Sequence, residues 1–317
     1  MSHGEFDLIA RLVAAVPIRR RDVLTGPGDD AALLRPPAGF DLVQTIDTCL
    51  EGVHFPVGMP AADVGWRSLA VNLSDLAAMG AMPAWGLLSL AMPRADDAWL
   101  DEFACGVAEL AQAFGLDLVG GDMVRGPLAV SFALTGFVPS GEALRRSGAA
   151  PGDGIWVTGE LGGGAAGLAA WQRGEADAAS AFLRPRPCLI EGAALRGIAS
   201  AAIDVSDGLA QDLGHVLESS GVGAVVELED IPVAVAAVGQ GASIGEVMAL
   251  RGGDDYELCF TVPPSREEEL QRITAAWPMA PARIGVIRAE PGLECRRDGQ
   301  AVKVPDAGWD HFGATES

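Results

Sequence analysis

Positive charge is what this chain has least of: 22 Lys and Arg stand against 43 Asp and Glu, a formal net charge of −21 at pH 7. Such a surface repels phosphate backbones and anionic lipid, which excludes non-specific binding to nucleic acid or membrane and points to small-molecule partners. An anionic substrate would have to be held through cations or through locally placed arginines. Cysteine is also sparse. Cys49, Cys105, Cys188, Cys259 and Cys295 are five widely spread residues with no Cys-x-x-Cys pair, which excludes a disulfide framework or a thiolate zinc site and fits a reducing cytoplasm. No uninterrupted run of about 18 apolar residues occurs, and the opening Met1–Asp7 lacks the basic-then-apolar build of a signal peptide. Neither export nor a membrane span is expected. Gly162-Gly163-Gly164 is not followed by Lys-Ser or Lys-Thr, so the P-loop reading fails, and the protein-kinase motifs are missing as well.

Against these absences stand glycine, 41 of 317 residues, and acids placed beside apolar segments. The chain is long enough for two domains, and its 49% hydrophobic content is enough for two cores. Gly26-Pro27-Gly28-Asp29-Asp30 makes a turn that ends in adjacent carboxylates and leads into Ala31-Ala32-Leu33-Leu34. Two such carboxylates repel by roughly 4 kcal/mol at about 4 Å and an effective dielectric near 20 unless a cation lies between them. The pattern recurs at Asp47, Asp75, Asp122, Asp204, Asp207, Asp254 and Asp255. It points to oxygen ligands for hard divalent cations, Mg²⁺ escorting a nucleotide, although any single Asp in a turn serves equally as an Asx-turn or a cap.

Periodicity orders the elements. Phe6, Ile9, Leu12 and Val13 predict a short amphipathic helix. Asp41–Asp47 reads as a strand with Asp47 at its tip, and His54 follows in a loop. Pro60 opens a helix that ends near Gly80, with Asn72, Asp75 and Met79 on one stripe. An Asp inside a helix so rich in Leu and Ala has no cationic neighbour one turn away and suggests a purpose. A strand over 85–91, a helix over 97–114, a strand ending in Gly120-Gly121-Asp122 and a strand over 128–138 complete a mixed α+β order. Residues 139–153 have linker composition and carry Arg145 and Arg146, either surface charges or clamps for nucleotide phosphates. Beyond them come a strand over 155–159, a helix over 188–199, and Ile203–Leu209, where Ser206 is by default a helix cap. Strand alternation there places Asp204 and Ser206 on one side. Gly252–Leu258 repeats the glycine and acid theme and holds the only tyrosine, Tyr256.

Gly28-Asp29-Asp30, Asp47-Thr48 with Gly52–Phe55, Ala70–Gly80, Gly120-Gly121-Asp122, Arg146–Ala149, Ile203–Leu209, Gly252–Leu258 and the tail Gly308–Phe312 together resemble the thiamine-monophosphate kinases, a family within the aminoimidazole ribonucleotide synthetase-like superfamily. The resemblance spans nearly the whole chain. It implies an α+β, α/β two-domain fold: residues 1–140 form an ATP- and Mg²⁺-binding domain that builds a shared barrel in a homodimer, and residues 150–317 form an α/β domain covering the site. It implies ATP as co-substrate, thiamine monophosphate as acceptor, several Mg²⁺ ions, and direct in-line transfer without a protein nucleophile. By motif match it assigns Asp30, Thr45, Ile46, Asp47, Asp75, Asp122, Asp204 and Asp207 to metal, with Thr45 and Ile46 offering backbone oxygen. Gly121, Asp122, Arg146 and Ser206 fall to ATP, and His54, Asp254 and Trp309 to the acceptor. The chain departs from the family at Asp254, usually Glu, at Ile46, commonly a hydroxyl residue, and at Met123, usually Thr. Cys49 as the first cysteine and the ending Ala314–Ser317 disfavour a selenophosphate synthetase and a hydrogenase-maturation dehydratase. A non-catalytic cation- or nucleotide-binding protein remains the alternative of a different class.

Overall fold

The computed structural model describes residues 5–275 and 277–302, and divides the chain into two compact units, 1–76 with 81–141 and 77–80 with 142–317. The first contains α1 (Glu5–Ala15), β1 (Val23–Thr25), β2 (Leu33–Leu34), β3 (Phe40–Leu50), α2 (Ala61–Ala78), β4 (Met82–Met92), α3 (Asp97–Phe114), β5 (Asp117–Arg125) and β6 (Ala129–Pro139). Its main sheet has the order β3-β6-β4-β5, antiparallel except for the parallel β4·β5 pair. Alternation assigns the two faces. Leu88, Leu90, Phe132 and Leu134 are buried with Leu69, Leu73 and Leu76 of α2 and Leu100, Phe103 and Leu110 of α3. The two helices approach so closely that a Cβ on Gly65 would overlap the Phe103 carbonyl oxygen, and one on Gly106 that of Ala62. The other face keeps Leu42 (49% exposed), Ile46 (68%), Leu87 (48%) and Val124 (49%) open.

Local chemistry sets the bounds of α3. Asp96 accepts the Trp99 N–H at its start, and Gly115 ends it in the left-handed region at φ 67°, its N–H bonded to the Ala111 carbonyl. β3 and β5 both outrun expectation. Thr48, Cys49 and Leu50 stay paired with Ser131, Val130 and Ala129, so Asp47 lies inside the strand and not at its tip. β5 runs on through Gly120-Gly121-Asp122 to Arg125 because these glycines permit close approach: a Cβ at Gly121 would overlap the Leu88 carbonyl oxygen.

The second unit contains β7 (Gly154–Val157), α4 (Gly163–Gln172), α5 (Ser180–Leu183), α6 (Leu189–Ala194), β8 (Ala201–Asp204), α7 (Leu209–Ser220), β9 (Gly223–Glu227), α8 (Val235–Val238), α9 (Ala242–Arg251), β10 (Leu258–Val262), α10 (Glu267–Thr274), β11 (Ala282–Arg288), β12 (Gly292–Arg297) and β13 (Gln300–Val302). The sheet order is β13-β12-β9-β11-β7-β10-β8, with β12·β9 its parallel pair. Ile155, Val157, Ile203, Leu213, Val226 and Ile284 form its core with α7. α6 ends at Ala194, five residues short of the helix expected to Ala199. Residues 139–153 are tied down despite their linker composition. Asp41 accepts from Ser140 Oγ (2.9 Å) and the Gly141 N–H (3.0 Å), and Ser220 Oγ accepts from the N–H groups of Gly148 and Ala149 (both 3.2 Å). Among the described residues no helix is long and apolar enough to cross a membrane.

Candidate functional site

In the first unit, β3 and α2 bring Thr45, Asp47, Asn72 and Asp75 together. Thr45 Oγ1 donates to Asp75 Oδ2, and the Asp47 N–H donates to Asn72 Oδ1 at 3.0 Å. Asn72 is fully buried and donates through Nδ2 to the Ser68 carbonyl (3.0 Å), which locks its amide oxygen toward the strand. The stripe of Asn72 and Asp75 on α2 thus becomes a clamp that registers the helix on β3 and leaves two carboxylates, Asp47 and Asp75, partly exposed on one face. Asn72 had no functional assignment in the sequence; its fully buried amide beside the strand is the signal.

Ile46 and Asp122 stand apart from that cluster. Asp47 aligns through Phe132 and Leu88 with Gly121, whereas Asp122 aligns with Ser89, Ser131 and Thr48, on the face that also bears Ile46. Asp122 is exposed there, and Ile46 offers no side-chain oxygen. Met123 is buried (7% exposed) opposite Leu90 on the helix-covered face, so the absence of a hydroxyl is answered by packing. Asp30 is exposed, its N–H held by the adjacent Asp29 Oδ1 at 2.8 Å, and β2 begins only at Leu33. His54 Nδ1 accepts the Leu50 N–H at 3.0 Å, which fixes the neutral imidazole with its proton on Nε2. Among the described residues no three His, Cys, Asp or Glu side chains converge as a metal cage.

The second unit carries Arg146, Asp204, Ser206, Asp207 and Asp254. Arg146 is exposed, and its carbonyl accepts from Ser220 Oγ (3.3 Å). β8 ends at Asp204 and the chain bends through Ser206-Asp207, so the alternation expected to align Asp204 with Ser206 does not extend past the strand. Ser206 does not cap α7: Gly208 is the N-cap at φ 113° with no side chain to offer. The acceptor comes from within the helix. Asp212 Oδ2 receives the N–H groups of Ser206 (3.0 Å), Asp207 (3.0 Å) and Gly208 (3.1 Å). Asp212 is 2% exposed, and burial pushes its pKa up to about 7 while the three N–H donors pull the other way. Sequence reading missed it, although an Asp four residues past Gly208, inside an apolar helix start, was the available signal.

The stretch 252–257 is stitched to the same bend. The Asp254 N–H donates to the Ser206 carbonyl (2.8 Å), the Tyr256 N–H to that of Val205 (2.8 Å), and the Val205 N–H to that of Glu257 (2.7 Å). Tyr256 Oη donates to Asp254 Oδ1 at 2.9 Å. Neighbouring Asp255 Oδ2 and Oδ1 accept from Gly162 (2.8 Å) and Gly164 (3.0 Å), and burial raises its pKa to about 7. The glycine-rich start of α4 is therefore filled by the chain's own carboxylate. Glu257 is also pushed up by burial; it accepts the Thr158 hydroxyl and the Cys188 thiol (3.2 Å). Trp309 lies outside the described residues.

The chain is similar to known proteins along nearly its whole length. Residues 28–138 match the AIR synthase related protein, N-terminal domain, and residues 150–298 match the AIR synthase related protein, C-terminal domain. The curated thiamine-monophosphate kinase of Salmonella typhimurium is 45% identical, over 98% of this chain and 99% of its own length. The crystal structure of thiamine-monophosphate kinase from Stenotrophomonas maltophilia K279a superposes with a TM-score of 0.87 at 44% identity, covering 95% of this chain and 99% of that one. A structure of AaThiL complexed with AMPPCP and TMP has a TM-score of 0.77 at 29% identity, covering 98% and 97%.

Proposed function

The chain belongs to the AIR synthase related family and, within it, to the thiamine-monophosphate kinases, and from that premise we propose that it transfers the γ-phosphoryl group of ATP to the phosphate of thiamine monophosphate. The products are thiamine diphosphate and ADP, and the reaction is the last step of thiamine diphosphate biosynthesis. The observation that carries this reading is the 45% identity to a curated kinase of that name along 98% of the chain. The AaThiL complex with AMPPCP and TMP supports both ligand classes, with ATP and thiamine monophosphate taking those places here.

Both reactants are polyanions, so the work of the protein is to align oxygens and offset charge. Asp75, whose carboxylate accepts the Thr45 hydroxyl, and Asp47, whose N–H is held by Asn72, supply two carboxylates on one face, and Asp30, Asp122, Asp204 and Asp207 supply the others we assign to metal. Main-chain oxygens of Thr45 and Ile46 complete that assignment. Mg²⁺ fits the donor set, because every donor is a hard oxygen, and phosphate oxygens of the reactants would add to its ligands. Bound there, it would neutralise charge on the transferring group. Gly121, Asp122, Arg146 and Ser206 are assigned to the nucleotide, with the Ser206 bend shaped by Asp212. His54, Asp254 and Trp309 are assigned to the acceptor, and Tyr256 orients Asp254. The acceptor phosphate attacks directly; no protein nucleophile takes part.

Purified protein with ATP, thiamine monophosphate and Mg²⁺ is expected to release ADP and thiamine diphosphate, with no diphosphate formed from free thiamine and no turnover after chelation of Mg²⁺. Nucleotide binding without ADP release under the full mixture would replace this reading with the non-catalytic one.

A homodimer is part of the proposal. Leu42, Ile46, Leu87 and Val124 are exposed on one sheet face, which the β1–β2 region covers only near Phe137, a pattern that monomeric surfaces seldom retain. A second copy laid on this face would cover it and form the shared barrel. Light scattering is expected to give twice the 32.6 kDa chain mass, and Leu87→Asp to shift it toward one. A wild-type monomer at micromolar concentration would overturn the pairing. In the proposed division of labour, residues 1–140 carry this face and the first ligand set, and residues 150–317 carry Asp204, Ser206, Asp207 and Asp254. Five free thiols, four of them buried, support a cytoplasmic setting.

A further inference from the structure

Asp254 sits in an uncommon piece of backbone. It has φ 61°, Gly253 before it φ 65° and Tyr256 after it φ 54°, so two non-glycine residues within three positions occupy the left-handed region. Such residues persist where their surroundings over-determine them. The restraint comes from the residue between them. Asp255 turns inward to the start of α4, where its two oxygens accept from Gly162 and Gly164 at 2.8 and 3.0 Å. Gly162 is the α4 N-cap and has no side-chain bond of its own to give, so Asp255 satisfies donors that would otherwise be orphaned. The fit is close on the other side as well: a Cβ at Gly164 would overlap the Asp254 carbonyl oxygen. With Asp255 anchored inward, the Asp254 backbone is pressed against Gly164, its carboxylate accepts from Tyr256 Oη and its N–H meets the Ser206 carbonyl.

We propose that Asp255 is a positioning residue for the acceptor: by tying the 252–256 segment to the glycine start of α4 it presents the shortened Asp254 carboxylate to the thiazolium cation or the amino group of thiamine monophosphate. The same bonds remove the α4 N-terminus from use as a phosphate site. This inference rests on the assignment of Asp254 to the acceptor.

Asp255→Asn keeps volume and one oxygen but turns an NH₂ group toward one glycine N–H, which opposes donor to donor. In the full-length variant the KM for thiamine monophosphate is expected to rise about tenfold, while the KM for ATP stays within about twofold and kcat within about threefold. In the protein without substrates, amide hydrogen exchange is expected to quicken at 162–165 and 253–257 together. Tyr256→Phe, which leaves Asp255 in place, is expected to raise the acceptor KM alone without quickening exchange at 162–165. Equal rises in both KM values, or quickened exchange confined to 162–165, would overturn the proposal. If the wild-type protein makes no product, the kinase reading falls, and the exchange pattern still decides whether Asp255 holds the 253–257 segment.

Discussion

Asp75→Asn is expected to lower kcat for thiamine diphosphate formation by about three orders of magnitude while moving the melting temperature by no more than about 2 °C. The substitution isolates charge. Asn keeps the size of the side chain and an oxygen to accept the Thr45 hydroxyl, and Asp75 is only partly buried, so neither packing nor the β3–α2 clamp is lost. What disappears is one carboxylate charge beside the site assigned to a divalent cation and to phosphate oxygens. A unit charge pair at about 4 Å with an effective dielectric near 20 is worth roughly 4 kcal/mol, and about 1.4 kcal/mol corresponds to a factor of ten in rate. Steady-state kinetics beside a thermal melt would check both halves. Activity near the wild-type level in a folded variant removes Asp75 from the ligand set.

Asp212→Ala carries the largest expected cost in stability. One carboxylate oxygen receives three N–H groups at the bend 206–208, and the residue is 2% exposed, so its removal orphans donors that water reaches poorly. Each buried unsatisfied donor costs about 1–3 kcal/mol; with partial re-solvation of the bend the expected loss is about 3 kcal/mol, or roughly 10 °C in melting temperature. Because Ser206 and Asp207 are the residues the bend displays, the KM for ATP is expected to rise by at least about tenfold in the same variant. Asp212→Asn separates the causes. It keeps an oxygen acceptor and loses the charge, so most of the stability should return. An alanine variant that melts like the wild type and binds ATP normally would show that the bend holds itself.

Particular elements show how far the sequence reached. α3 was legible to the residue because its determinants are local: an Asp cap, an apolar stripe and a glycine able to turn left-handed. The lengths of β3 and β5 were not, because the end of β3 is set by its partners Ser131, Val130 and Ala129, far along the chain, and that of β5 by the close approach of β4 to Gly121. Ser206 was read as a cap from its neighbours alone, whereas the cap is Gly208 and the acceptor is Asp212 from the following turn. The acid-rich motifs marked where carboxylates gather along the chain but not which donors each one meets. Asp255 looked in sequence like one more ligand and is spent on Gly162 and Gly164, ninety-three and ninety-one positions away.

By itself the sequence determined the element types, the acidic balance that disfavours nucleic acid and anionic lipid as partners, and the order of motifs that places it in its family. These follow from short-range terms: turn chemistry, periodicity, and charge counted along the chain. The tertiary structure alone decided which face of the sheet each acid occupies, so that Asp47 and Asp75 share one and Asp122 stands on the other. It also decided which carboxylates, Asp212 and Asp255, are turned inward to the backbone. The reason is that a carboxylate's role depends on the donors that packing brings to it, and those donors come from other elements whose distance in sequence carries no record of the contact.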